Sequence, residues 1–195
     1  MGFLKTVYPL EPGPTLAVEN LLLKPPQMSD YPAWSKLRGD SRAFLAQWEP
    51  LWSDDELSRA AFRRRLRYYQ REGDEETGYA FFLHRVHDSA LLGGVTLSNV
   101  RRGVSQSCTV GYWMGEQYAG QGHMGKAMQS VISFVFDTLK LHRLEAASMP
   151  ANLPSIRLLN RLGFTREGLA RGNLRINGAW EDHLLFALLS GDRRA

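Results

Sequence analysis

The stretch Gln117-Tyr118-Ala119-Gly120-Gln121-Gly122-His123-Met124-Gly125-Lys126 decides how the chain folds. Before it runs Cys108-Thr109-Val110-Gly111-Tyr112-Trp113-Met114, short and β-rich. After it, apolar residues recur at Met128, Val131, Ile132, Val135, Phe136 and Leu139, a helical period. The stretch therefore reads as a glycine-rich turn from a strand into a helix. Gly120, Gly122 and Gly125 lack Cβ, so the backbone can bend sharply and approach a ligand closely. The first N–H groups of a helix have no internal acceptor and sit at the positive end of its dipole. Such a turn is an anion site suited to phosphate or pyrophosphate. No Gly-Lys-Ser/Thr closes it, so it is not a Walker loop. Gly120-x-Gly122-x-x-Gly125 has the dinucleotide spacing, but it lies deep in the chain and not after the first strand of a βαβ unit.

Working outward, the 195 residues have the length of one ordinary domain, with 44% hydrophobic and 23% charged residues. The longest apolar runs, such as Leu21-Leu22-Leu23, are too short to span a bilayer, and no signal-peptide pattern opens the chain. The expectation is a cytoplasmic protein with no membrane partner. Cys108 has no second cysteine to pair with and reads as a packed strand residue. The net charge is +4, concentrated in Arg63-Arg64-Arg65 with Arg67, Arg101-Arg102 and Arg193-Arg194. Without a zinc-finger spacing, basic zipper or RNA-binding strand motif, this charge does not predict sequence-specific nucleic-acid recognition. No metal site is expected.

Residues 1–15 read as an irregular lead-in, and Ala17 to Leu23 as the first strand. Ser29 or Asp30 caps a helix carrying Trp34 and Leu37, broken near Gly39-Asp40, with a second piece at Phe44-Leu45. Trp48-Glu49-Pro50-Leu51-Trp52 is an aromatic loop. Ser53 with Glu56 spells a capping box for a helix over 54–72. A hairpin follows from Tyr79 to Leu97, with Gly93-Gly94 marking a bulge or close backbone contact. The strand before the glycine turn comes next. Beyond the turn's own helix lie a strand at 143–149 and a helix at 154–162 ended by Gly163. A hairpin turning at Asn177-Gly178 closes the chain. The order is β-α-α-β-β-β-α-β-α-β-β, an α/β chain of α+β type with a mixed, mostly antiparallel sheet.

The glycine turn, the strand-to-helix segment Asn152-Leu153-Pro154-Ser155, and Leu162-Gly163-Phe164 occur together in that element order. They resemble the GNAT superfamily of acetyl-CoA-dependent N-acetyltransferases. Trp48-Glu49-Pro50, Ser98-Asn99-Val100-Arg101-Arg102-Gly103 and Trp180-Glu181-Asp182-His183 make the resemblance strongest to the RimJ/RimL group of protein N-terminal acetyltransferases. It covers nearly the whole chain as a single GNAT domain.

The resemblance implies roles. Backbone N–H groups from Gln117 through Gly120, Gln121, Gly122, His123, Met124 and Gly125 would hold the coenzyme A pyrophosphate. The backbone of Tyr112, Trp113 and Met114 would pair with the pantetheine arm, where that strand splays from its neighbour beyond a bulge. Asn152 would bond the coenzyme near its acyl end, and Ser155 would protonate the departing thiolate. On local grounds alone both are ordinary helix-cap residues. Trp48 and Trp52 would frame the acceptor, with Asp182 near it. For the general base, Glu116 is the nearest carboxylate in sequence, with Asp182-His183 as a second pair. The implied acceptor is a protein N-terminus, a ribosomal protein among the candidates, and the implied assembly a monomer or homodimer. A small-amine acceptor and a coenzyme-binding protein with little catalysis stay open as alternatives.

Overall fold

The computed structural model describes residues 13–192, so most of the lead-in and the Arg193-Arg194 pair lie outside the described residues. Among the described residues eight strands form one sheet in the order β1-β2-β3-β4-β5-β6-β8-β7. They are β1 (Leu16–Val18), β2 (Leu21–Lys24), β3 (Tyr79–Arg85), β4 (Leu91–Arg101), β5 (Ser107–Met114), β6 (Arg143–Ser148), β7 (Thr165–Ile176) and β8 (Ala179–Leu189). The β5–β6 pair is parallel, and every other neighbouring pair is antiparallel.

Helices α1 (Tyr31–Asp40), α2 (Arg42–Ala46) and α3 (Arg59–Asp74) lie between β2 and β3 in the chain. Helix α4 (His123–Ser133) runs on as a wider π-helical turn through Thr138, and α5 (Leu153–Arg161) follows β6. Side chains alternate across a strand, so neighbours enter different cores. Phe81 joins α4, α5 and the β1–β6 interior in one cluster, while Phe82 joins Trp34, Leu37 and Phe62 under α1 and α3.

Two expectations change. The single strand over 17–23 is a tight hairpin, because Glu19 takes a positive φ of 49° and turns β1 back on β2. Helix α3 starts at Arg59, capped by Ser58 accepting from the Ala61 N–H at 3.1 Å. Ser53 does not cap it, because Glu56 is bonded to Arg65 and Asp55 to Arg64 at 2.6 Å, so both acids brace the flank of α3. The expected bulge beside the β5 splay is present and lies on β4, where Asn99 has a φ of 53° and the register slips between Ser98 and Arg101.

Gly93 and Gly94 mark both expected features. The β3–β4 register skips Leu92 next to them, and a Cβ at either would strike Trp113 on β5. Their absence of side chains lets β5 lie flat against β4 and seats the Trp113 indole on the α1 side. Asn177 and Gly178 both have positive φ (44° and 88°), the geometry of the two-residue turn that joins β7 to β8.

Candidate active site

The glycine turn opens from β5 through a short 3-10 turn, Glu116–Tyr118, into α4. Gly120 and Gly122 have φ of 75° and 81°, a region L side chains rarely enter. Gly122 is the N-cap, and the first helical bond runs from the Lys126 N–H to the Gly122 carbonyl at 3.3 Å. The N–H groups of His123, Met124 and Gly125 are thus left without acceptors in the helix. A Cβ at Gly120 or Gly122 would point into open space, so the cradle is unfilled by protein. Burial, then Arg85 and Lys126, push the His123 pKa below its ordinary 6.5. The imidazole is therefore neutral at pH 7 and adds no charge of its own to the positive end of the α4 dipole.

Beside the cradle the sheet splits. β5 and β6 pair only from Ser107 to Thr109 against Arg143 to Glu145, and then diverge. Two cavities occupy the divergence. One, of about 510 Å³, reaches from the glycine turn along Met114 and Trp113 to α5. The other, of about 340 Å³, lies between β5, the end of β6 and the β7–β8 hairpin. Trp48, Tyr112, Asn152 and Ser155 line both, so the cavities meet at these side chains.

Local folding rules place that junction. Asn152 is the N-cap of α5, and its Oδ1 accepts the Ser155 N–H at 3.2 Å. The cap fixes the first turn of α5, so Ser155 Oγ faces β5 and lies 2.8 Å from the Tyr112 hydroxyl. Burial raises the Tyr112 pKa above 10.0, with the Ser155 bond opposing only in part, so the phenol keeps its proton at neutral pH.

The smaller cavity is closed by contacts distant in sequence. The Asn177 N–H donates to the Glu49 carbonyl at 2.9 Å, tying the β7–β8 turn to the loop after α2. Trp48 and Pro50 form one wall, and Leu174, Arg175 and Ile176 another. His183 is buried in the lining, with Nδ1 3.0 Å from the Glu181 carbonyl. Nδ1 therefore carries the proton and Nε2 is the basic nitrogen. The loop is anchored by the buried Arg38, whose guanidinium pairs with both Glu49 carboxylate oxygens (3.1 and 2.5 Å).

The structure brings together Trp48, Tyr112, Trp113, Met114, Gly120, Gly122, His123, Met124, Gly125, Asn152 and Ser155. It sets the other expected site residues apart. Gln117 and Gln121 stay in the glycine turn, where the Gln121 side-chain amide donates to the Gln117 carbonyl at 2.8 Å, but neither lines the cavity. Glu116 is exposed and lines neither cavity, and its N–H is held by Ser41 Oγ at 2.9 Å. Trp52 donates to Glu49 at 2.8 Å and stacks under the Arg38 guanidinium at 4.6 Å. Asp182 accepts from the Gly172 N–H at 2.7 Å, pinning a bulge in β7. Sequence reasoning overlooked Glu49, Arg157 and Arg161, all lining the larger cavity. The two arginines sit four apart on α5, a spacing that shares one helix face and was legible.

A family model described as an acetyltransferase (GNAT) domain matches residues 20–165. The probable N-acetyltransferase YjcK of Bacillus subtilis is 35% identical over 174 residues, 89% of this chain and 96% of the relative. The ribosomal protein uS5-alanine N-acetyltransferase of Escherichia coli is 33% identical over 165 residues, 84% of this chain and 85% of the relative. The solved structure of Mycobacterium smegmatis RimJ in complex with CoA-disulfide superposes with a TM-score of 0.85 at 30% identity, covering 92% of this chain and 87% of that one. With the splayed strands and the glycine cradle, these matches establish that the chain belongs to the GNAT acetyltransferase family.

Proposed function

We propose that the protein transfers the acetyl group of acetyl-CoA to the N-terminal α-amino group of a protein, by direct attack in a ternary complex. The observation that carries this reading is the meeting of two cavities at Tyr112, Asn152 and Ser155, one ending on an anion cradle and the other bounded by no phosphate-type site. Donor and acceptor then approach from opposite sides of the splay. The Escherichia coli relative is a uS5-alanine N-acetyltransferase, which supports a protein N-terminus, and a ribosomal one, as acceptor.

In this reading the free N–H groups at the start of α4 bind the pyrophosphate. Arg157 and Arg161, exposed and in no ion pair among the described residues, add cationic contacts along the same cavity. The unpaired edge of β5 at Tyr112, Trp113 and Met114 receives the extended pantetheine arm as an added strand would. Acetyl-CoA supplies the activated acyl carbon. A β5 backbone N–H facing the gap polarises the thioester carbonyl. Ser155 Oγ donates a proton to the leaving sulfur, and the Tyr112 hydroxyl orients and re-protonates it across their 2.8 Å contact.

The amine needs only a weak base. A protein α-amino group has a pKa of about 8, so an appreciable fraction is already neutral at physiological pH. Glu49, the carboxylate that lines the larger cavity, is occupied by Arg38 and Trp52. His183 Nε2 takes the proton in this reading, since Glu116 is exposed and is in the lining of neither cavity.

Initial-rate kinetics of thiol release, with N-terminal peptides and small amines as acceptors, test the proposal. Intersecting double-reciprocal lines with peptides are expected. Turnover confined to small amines would overturn the acceptor assignment, and parallel lines would overturn direct attack.

A further inference from the structure

A third cavity, of about 550 Å³, lies between α3 and the β3–β4 hairpin, and the reaction above makes no use of it. Its wall is the α3 face carrying Ala61, Arg64, Arg65, Tyr68 and Tyr69. Its floor is Ala80, Thr96 and Ser98. We propose that this cleft holds the acceptor polypeptide downstream of its reacting N-terminus. The proposal rests on the protein-acceptor reading and extends it to where the rest of the chain lies.

Two continuities join the cleft to the acceptor cavity. The first is the floor. Thr96 on β4 stands opposite Gly111 on β5, and its hydroxyl reaches the Gly111 carbonyl at 3.4 Å. Gly111 lines the acceptor cavity, and Thr96 lines the cleft. Alternation puts Ala80, Thr96, Ser98 and Gly111 on one sheet face, and their small side chains leave that face low enough for a backbone to cross. The second is the roof. One loop connects α2 to α3, with Trp48 and Pro50 lining the acceptor cavity and Ser53 and Glu56 lining the cleft.

The lining chemistry selects the occupant. Arg64 is paired with Asp55, and Arg65 with Glu56, so the two cleft cations are neutralised from within the chain. A polyanion such as nucleic acid gains little there. Tyr68, 46% exposed, and Tyr69 offer broad apolar faces with a hydroxyl tip, beside the hydroxyls of Thr96 and Ser98. That mixture suits an extended polypeptide, whose backbone needs donors and acceptors and whose side chains need apolar contact. An extended chain advances about 3.3 Å per residue and adjacent strands lie about 5 Å apart, so residues beyond about the fourth enter the cleft.

Nested peptides of three to about fifteen residues, bearing the N-terminal sequence of Escherichia coli ribosomal protein uS5, provide the test. The wild-type KM should fall about tenfold from the shortest peptide to the longest, the size expected from a few packed aromatic contacts. Ala61→Trp, which fills the cleft, and Tyr68→Ala, which removes a half-exposed wall, should each return the long-peptide KM to near the short-peptide value. Neither should change short-peptide kinetics or the KM for acetyl-CoA. Tyr68→Ala alters an exposed side chain, so it remains informative if Ala61→Trp fails to fold. A KM independent of length, or a length effect that survives Tyr68→Ala, overturns the cleft while leaving N-terminal acetylation standing. Thiol release with small amines but with no peptide of any length overturns both.

Discussion

The Tyr112 hydroxyl lies 2.8 Å from Ser155 Oγ, joining the splayed strand β5 to the first turn of α5 where the two cavities meet. Each group can donate to the other, so a proton leaving Ser155 is replaceable from Tyr112. Ser155→Ala should lower kcat about 10- to 100-fold, the range of one general-acid group. The KM for acetyl-CoA should stay within about twofold, because binding rests on the glycine turn. Tyr112→Phe should cost less alone, and the double variant no more than Ser155→Ala, because both act through one proton path. Full additivity of the two losses in kcat would separate the residues and refute a shared path.

Gly122 caps α4 with a φ of 81°, and a Cβ there meets no protein atom within 4 Å. Any loss on substitution comes from left-handed strain, about 1–2 kcal/mol, and from intrusion on the space over the free N–H groups. Gly122→Val should therefore weaken coenzyme A binding by at least about tenfold by calorimetry. Gly178→Val serves as the control, since Gly178 has a φ of 88° and an equally open Cβ position, in the β7–β8 turn. It should reduce thermal stability similarly and leave coenzyme affinity unchanged. Equal affinity of wild type and Gly122→Val would remove the pyrophosphate from this turn.

The donor half of the site was legible because it is local. Gly120 and Gly122 announce positive φ, the following apolar period announces a helix, and Asn152 announces a cap at a fixed offset from Ser155. The acceptor half is built from Trp48, Gly111, Ala147 and His183, on four separate segments. Which of these face one another depends on strand register and on the Asn177-to-Glu49 bond, and neither has a local signature. The Ser53 capping box failed for a related reason. Its acids satisfy the local pattern, but Arg64 and Arg65 on α3 hold them instead. Trp52 reads as a pocket aromatic until its neighbour Arg38, fourteen positions upstream, claims both its face and its ring N–H partner.

Arg38 is 4% exposed and forks onto Glu49, while its guanidinium lies 4.6 Å from the Trp52 ring centroid and 5.1 Å from that of Trp113. Removing one partner of such a pair leaves a charge without its counter-ion, at a cost of about 3–5 kcal/mol. Glu49→Gln should destabilise the fold by somewhat less, about 1–3 kcal/mol, because the amide can still bond Arg38. Since Glu49 also holds Asn177 through its carbonyl, the loop carrying Trp48 should loosen and the acceptor KM should rise more than the acetyl-CoA KM. Arg38→Lys should not restore stability, because an ammonium cannot make the planar fork or lie flat on two indoles. Recovery by lysine would show that charge alone matters here.

His84 is buried between β2 and the 3-10 turn before α1, with Nε2 unbonded and Asp30 Oδ1 3.9 Å away. Burial and the nearby Lys24 hold its pKa below 6.5, against weaker upward pulls from the Ser89 carbonyl and Asp30. The unfolded chain therefore takes up the proton first as pH falls. Stability is full above the unfolded value of about 6.5 and is lost as pH drops toward the lower folded value. The urea midpoint of the wild type should fall as the medium passes from about pH 7.5 to about pH 5. His84→Gln, which cannot titrate, should lose less over that interval even if its midpoint is lower at neutral pH. Parallel midpoint curves for the two proteins would show that His84 is not the group responsible.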